Sequence, residues 1–186
     1  MNWELAELYS CNNEPQREWA GRAWGTLLAV LKEAKVKGRI HSVIDFGCGT
    51  GEITAQLRQW ISELNDALDL DADNSSPEQI VGMDVSPEMV GYCRSHHLDN
   101  AQSSSKESKT LHFEVADAGD AETMKSDWNS GYDILVSFTA MHWVPDQNQV
   151  LQNINFVLKK DGFALLLIPV KAPKAFIDGK MAKKCP

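Results

Sequence analysis

Val43-Ile44-Asp45-Phe46-Gly47-Cys48-Gly49-Thr50-Gly51 runs from apolar residues into an acid and then places glycine at every second position. Downstream, Ile53, Leu57, Trp60, Ile61 and Leu64 recur at helical spacing. The stretch therefore predicts a buried strand, a tight loop and a helix. Alternate glycines remove the β-carbon where a ligand touches backbone and allow the positive φ of a sharp turn. The unpaired N–H groups of the helix start then face whatever the loop holds. A dinucleotide loop of the form G-x-G-x-x-G would need glycine at position 52, which is Glu52. An acid there suits the helix dipole but repels a diphosphate, so a nicotinamide oxidoreductase is poorly supported. The phosphate-cradling G-x-x-x-x-G-K-[ST] pattern is absent as well.

Working outward, a second apolar run, Ile80-Val81-Gly82-Met83, ends in Asp84. Ser86-Pro87-Glu88 then reads as N-cap, first helical proline and first-turn acid. A third strand, Leu111–Val115, leads into Ala116-Asp117-Ala118. A fourth, Asp133–Phe138, leads into Thr139–Asp146. Val150, Leu151, Ile154, Val157 and Leu158 mark a helix face, and Phe163–Val170 a fifth strand. Upstream, positions 15 to about 35 predict an amphipathic helix with Trp19, Ala20, Ala23, Trp24, Leu27, Leu28 and Leu31 on its inner side. Two polar insertions, near 65–79 and 99–110, read as exposed loops. The Asp69, Asp71, Asp73 alternation lacks the glycine and closing Glu of an EF-hand, so a solvated acidic loop is expected.

The chain has 186 residues, 43% apolar and 24% charged, enough for one globular core. The net charge of −8 argues against a nucleic-acid partner, whose phosphates call for Lys and Arg. With no long apolar stretch and no leader-like start, the expectation is a cytoplasmic protein without a membrane partner. Cys11, Cys48, Cys93 and Cys185 are scattered without a C-x-x-C pair; four reduced thiols and no metal site are expected.

Asp-x-Gly-x-Gly-x-Gly with acids at the next two strand ends resembles the class I S-adenosylmethionine (SAM) methyltransferases. His142-Trp143-Val144-Pro145-Asp146-Gln147, Val150–Ile154, Leu158–Gly162 and Ala6–Ser10 with Asn13 and Gln16 look like juvenile hormone acid methyltransferase and the trans-aconitate-methyltransferase-like enzymes. The resemblance implies a Rossmann-like, doubly wound α/β sheet of order 3-2-1-4-5. Here it would lack strands 6 and 7 of the full fold, giving the expectation of a short form whose apolar fifth strand is left as an edge and pairs in a homodimer. One domain is expected, with an N-terminal lid and helix over 1–38, a SAM-binding core over 39–170 and a basic tail over 171–186.

The same resemblance assigns roles, each beside a plainer reading. Tyr9 lies over the cofactor. Gly47, Gly49 and Gly51 face its methionine end, which Asp45 orients unless it merely ends a strand. Asp84, with Val85 beside it, accepts from the ribose or only caps a loop. Met89 packs on adenine or fills core, Asp117 and Ala118 hold the adenine, and Ser137 lies beneath the methyl. Gln16 and Trp143 hold the carboxylate of a small apolar acid; otherwise Gln16 faces solvent and Trp143 is a core aromatic. A carboxylate is already a nucleophile, which fits a sequence with no evident acid–base pair. The expected activity is O-methylation. The alternative is a SAM-binding paralogue without catalysis, acting as a regulatory partner.

Overall fold

Every side chain of β1 (Ser42–Phe46) is buried, the signature of a parallel strand covered on both faces. The structure, a computed structural model, describes residues 4–36, 38, 40–70, 79–98 and 111–169. Part of the first polar insertion (71–78), the whole of the second (99–110) and the basic tail lie outside the described residues.

Around β1 the sheet continues through β2 (Gln79–Asp84), β3 (Leu111–Val115), β4 (Tyr132–Phe138) and β5 (Leu158–Leu167). Its order is β3-β2-β1-β4-β5, all pairs parallel, as expected. The helices are α1 (Glu4–Asn12), α2 (Glu14–Glu33), α3 (Glu52–Ala67), α4 (Pro87–His96) and α5 (Gln147–Val157). Because side chains alternate along a strand, each strand feeds two cores. Val43, Ile134 and Val136 pack with Trp24, Leu31, Leu57 and Ile61 of α2 and α3. Ile44, Phe46 and Leu135 pack with Val150, Ile154 and Val157 of α5 on the opposite face. Strand order reverses between β1 and β4, which opens a crevice at their carboxyl ends.

The other end of the sheet is fastened by Asp133. Its carboxylate accepts from His41 N (2.9 Å), Ser42 N (3.0 Å), Ser42 Oγ (2.9 Å) and Lys159 Nζ (2.7 Å). Burial pushes this carboxyl up, but Lys159 and the β1 donors outweigh it and hold it below the ordinary range.

Several expectations need correction. Leu151 is exposed on α5 rather than on its inner face. Strand β5 starts at Leu158, earlier than Phe163: Leu158 pairs with Tyr132 and Phe163 with Ile134, and Lys159–Gly162 bulge between them, with Asp161 at φ 68°. Its side chains are half-buried or exposed, as fits an edge and not a strand covered on both faces. Cys48 and Cys93 carry free thiols, whereas Cys11 is disulfide-bonded, against the expectation of four reduced thiols.

Gly21 and Gly25 lie in α2 with nothing within 4 Å of a β-carbon placed on either. Alanine at each should stabilise the protein by about 0.5–1 kcal/mol, since helical glycine gives up the most backbone entropy. Urea midpoints check this; no gain from either change would show that the α2 backbone is not limiting.

Candidate active site

The glycine loop is bound to β2 from its first residue. Gly47 N and Cys48 N both donate to Met83 O (2.8 and 2.9 Å), drawing the chain sharply across the end of β2. Asp84 then bridges two loops, its Oδ2 accepting from Gly49 N and its Oδ1 from Ser86 N, each at 2.9 Å. Ser86 Oγ accepts from Met89 N, so the predicted cap of α4 forms. From behind, Cys93 Sγ donates to Gly49 O (3.2 Å) and His97 Nε2 donates to Thr50 O (2.8 Å). His96 instead stacks on Tyr92, so the adjacent histidines point apart as helix geometry requires.

Two hollows flank this loop. A cleft of about 360 Å³ has Asp84, Val85, Asp117, Ala118, Met141 and Trp143 among its lining residues. Its size is in the usual range for a small-molecule site. A smaller hollow of about 20 Å³, room for roughly one water-sized group, lies among Tyr9, Asn13, Gln16, Asp45, Glu52 and Thr139. Gly47 borders both. Asp84 and Asp117 thus share one cavity, and Asp45 reaches only the adjoining one. Among the described residues neither lining contains Lys or Arg.

The small hollow is rich in acceptors. Asp45 is fully buried and accepts from Thr54 Oγ1 (2.7 Å). Burial pushes its carboxyl up to about 7, against the Thr54 hydrogen bond and with help from the charge of Asp84. Burial also raises the Tyr9 phenol, reinforced by the charges of Glu52, Asp84 and Asp45, so it keeps its proton. The Cys48 thiol is pushed well above its ordinary value by its hydrogen bond with Cys93 and by burial, so it is no thiolate nucleophile. Asn13 Oδ1 and Gln16 Oε1 are buried acceptors without hydrogen-bond partners. Such atoms, left unpaired, cost free energy that a bound donor would recover.

The buried Asp45 predicts a pH dependence of stability. Its folded value near 7 lies above its ordinary 3.8. Between these limits the unfolded chain has lost the proton that the folded chain keeps, so the Asp45 contribution to stability is largest below about pH 4 and is lost as pH rises to about 7. Urea denaturation across this range should show a downward slope that Asp45→Asn removes. A slope unchanged by the substitution would assign it to another group.

Most of the expected site residues meet around these hollows: Gly47, Asp84, Val85, Asp117, Ala118 and Trp143 in the cleft, and Tyr9, Gln16 and Asp45 in the smaller space. Gln16 is buried, not solvent-facing. Trp143 is 78% exposed at the cleft mouth beside His142, and so is no core aromatic. Asp117 Oδ1 accepts from Gly119 N (2.8 Å), and Ala118 O accepts from Asn153 Nδ2 (2.9 Å), which fixes this wall.

Four of the expected residues, Gly49, Gly51, Met89 and Ser137, lie outside both linings. Gly51 packs behind the loop, where an added β-carbon would meet Cys93, His97 and Phe113. Ser137 lines neither hollow; it is buried and donates to Phe46 O (2.7 Å), tying β4 to β1. Gly49 is covered by Tyr9, whose ring would lie 3.3 Å from an added β-carbon.

Sequence reasoning gave no role to Ala140, which fits against Gly47, or to Glu52 beyond excluding a diphosphate. The first-turn position of Glu52 was the available signal. Among the described residues there is no cluster of His, Cys, Asp and Glu suited to a metal, and no helix long and apolar enough to cross a membrane.

Comparison with known proteins adds to this geometry. Residues 39–186 match the family model described as a methyltransferase domain. The chain is similar to juvenile hormone acid O-methyltransferase of Bombyx mori, 31% identical over 163 residues, 87% of this chain and 49% of that protein. It is also similar to trans-aconitate 2-methyltransferase of Deinococcus radiodurans, 27% identical over 68% of this chain and 37% of that protein. Thus the chain spans about half the length, or less, of these curated relatives. Among solved structures, trans-methyltransferase CalH in complex with SAH aligns with a TM-score of 0.55 at 16% identity, over 89% of this chain and 42% of that one. That likeness shows a common fold.

Proposed function

Because this chain belongs to the methyltransferase-domain family, we propose that it binds SAM across the two hollows and methylates a small, apolar carboxylic acid. The adenosine part occupies the cleft, with its ribose hydroxyls at Asp84 and its adenine beside Asp117 and Ala118. The methionine end passes Gly47 towards Asp45, Asn13 and Gln16. The observation that carries this reading is that the hollow of Asp84 and Asp117 and the hollow of Asp45 share Gly47, and that their linings are acceptor-rich and, among the described residues, without a basic side chain. Such a lining suits a sulfonium and an ammonium and disfavours a phosphate.

Transfer is an in-line displacement: a carboxylate oxygen forms a bond to the methyl carbon as the S–C bond breaks. The products are a methyl ester and neutral S-adenosylhomocysteine. No proton has to be removed, so the protein contributes alignment and exclusion of water, worth roughly 7–11 kcal/mol of the barrier at best. Trp143, at the cleft mouth, supplies a neutral N–H donor to the acid, while Gln16 faces the adjoining hollow. The relatives named for juvenile hormone acid and trans-aconitate support an acid acceptor.

Calorimetric titration with SAM, followed by methyl transfer to a panel of fatty, isoprenoid and tricarboxylic acids, tests the proposal. Saturable binding with ester formation is expected. Absence of binding would sink it, and binding without turnover on any acid would favour a regulatory SAM-binding role. The outer edge of β5, unpaired among the described residues, supports pairing with a second copy. Light scattering that finds only monomer would count against the dimer.

A further inference from the structure

The carboxylate of Glu52, in the first turn of α3, receives three side-chain donors from two separate segments. Ser10 Oγ donates from the end of α1, Asn13 Nδ2 from the α1–α2 junction (3.0 Å) and Thr50 Oγ1 from the glycine loop (2.6 Å). Tyr9, Asn13 and Gln16 are the residues this segment contributes to the small hollow. Asn13 is 4% exposed, and its amide nitrogen is engaged with Glu52 and with Thr50 Oγ1 (3.4 Å). That engagement fixes the orientation of the amide, leaving Oδ1 as a buried acceptor without a partner. Gln16 Oε1, 8% exposed in residue terms, is a second such acceptor in the same hollow. Acidic groups nearby (Asp45, Asp84) and the protonated Tyr9 phenol offer neither atom a cation.

We propose that Glu52 is a positioning residue that clamps the segment carrying Tyr9, Asn13 and Gln16 onto the glycine loop, and so presents the Asn13 carbonyl oxygen to the ammonium of the bound methionine moiety. The ammonium half of this assignment rests on the SAM-binding reading above; the clamp does not. Glu52 remains ionised because its donors, together with its own backbone N–H, outweigh the burial that would otherwise raise it. A carboxylate can accept from all three donors at once, whereas an amide in its place must turn an N–H towards at least one of them.

The test has two arms. In the ligand-free protein, hydrogen exchange over residues 4–16 in Glu52→Gln should accelerate by about tenfold or more, with β1 and β4 unchanged, as expected for loss of charge-assisted hydrogen bonds. Ser10→Ala approaches the clamp from its other side, and its effect should largely vanish when combined with Glu52→Gln. Exchange unchanged in Glu52→Gln, or effects of the two substitutions that simply add, would overturn the clamp. Should Glu52→Gln fail to fold, faster exchange over 4–16 in Ser10→Ala sustains the clamp and unchanged exchange overturns it.

In the second arm, S-adenosylhomocysteine is compared with 5′-methylthioadenosine, which lacks the amino acid end. Asn13→Ala and Glu52→Gln should each weaken the former by about tenfold and alter the latter by less than about twofold. Equal weakening of both ligands would reduce Glu52 to a structural brace. If the unaltered protein binds neither nucleoside, the SAM reading fails, and the exchange arm still decides the clamp.

Discussion

Asp84→Ala should weaken SAM binding by roughly 100-fold or more, the loss expected when two hydrogen bonds from ribose hydroxyls to a carboxylate disappear. The structure gives this residue a second task. Both its oxygens already accept backbone N–H groups, from Gly49 and Ser86, and each oxygen retains a lone pair for a ribose hydroxyl. Alanine therefore removes the ligand contacts and also leaves the Gly49 and Ser86 amides without their acceptor. A stability loss of about 1–3 kcal/mol should accompany the affinity loss. Asp84→Asn separates the two: it keeps the size but has one accepting oxygen for two amides and the ribose. Calorimetry and urea denaturation on both variants provide the check. Lower stability with unchanged affinity would mean that Asp84 only braces the loop.

The second large effect is expected at Gly47, where the two hollows meet. Its φ is +78°, and a β-carbon there would lie 2.3 Å from Ala140 Cβ. The left-handed backbone alone costs about 1–2 kcal/mol for a residue with a side chain, and the overlap adds about 1–3 kcal/mol. Gly47→Ala should therefore destabilise the fold by about 2–5 kcal/mol and reduce SAM binding further, because the loop and the Ala140 turn must separate where the ligand crosses. The alanine series in α2 is the contrast, since there the same change meets open space and stabilises. Near-wild-type stability and affinity for Gly47→Ala would show that the turn after β4 yields freely.

How much of this was legible beforehand depended on the range of the interaction concerned. The alternation of strands and helices and the Ser86 cap followed from local patterning, whereas the strand order was implied by the family resemblance; Val43–Phe46 is buried throughout, with Asp45 next to last in β1 and Asp84 last in β2. The start of β5 was misread because Lys159–Gly162 looks like a polar turn. Those residues do bulge; only the pairing of Leu158 beside Tyr132, with Lys159 reaching Asp133, brings the earlier start of the strand into the sheet. Ser137 was misplaced for a similar reason. Its position at a strand end suggests a ligand contact, yet its hydroxyl has a carbonyl partner on β1 that no sequence spacing discloses. Glu52 looked like an exclusion signal, and Asn13 mattered only through resemblance.

By itself the sequence determined the alternation of strands and helices, the glycine turn and the set of acids at strand ends. These depend on periodicity and backbone freedom, properties of residues a few positions apart. Tertiary structure alone decided which acids face which hollow, that Asp45 is buried enough to hold a proton near neutrality, and that Glu52 ties positions 10 and 13 to position 50. Those outcomes arise from desolvation and from hydrogen bonds between distant segments, whose strength depends on surroundings that exist only once the chain has closed on itself.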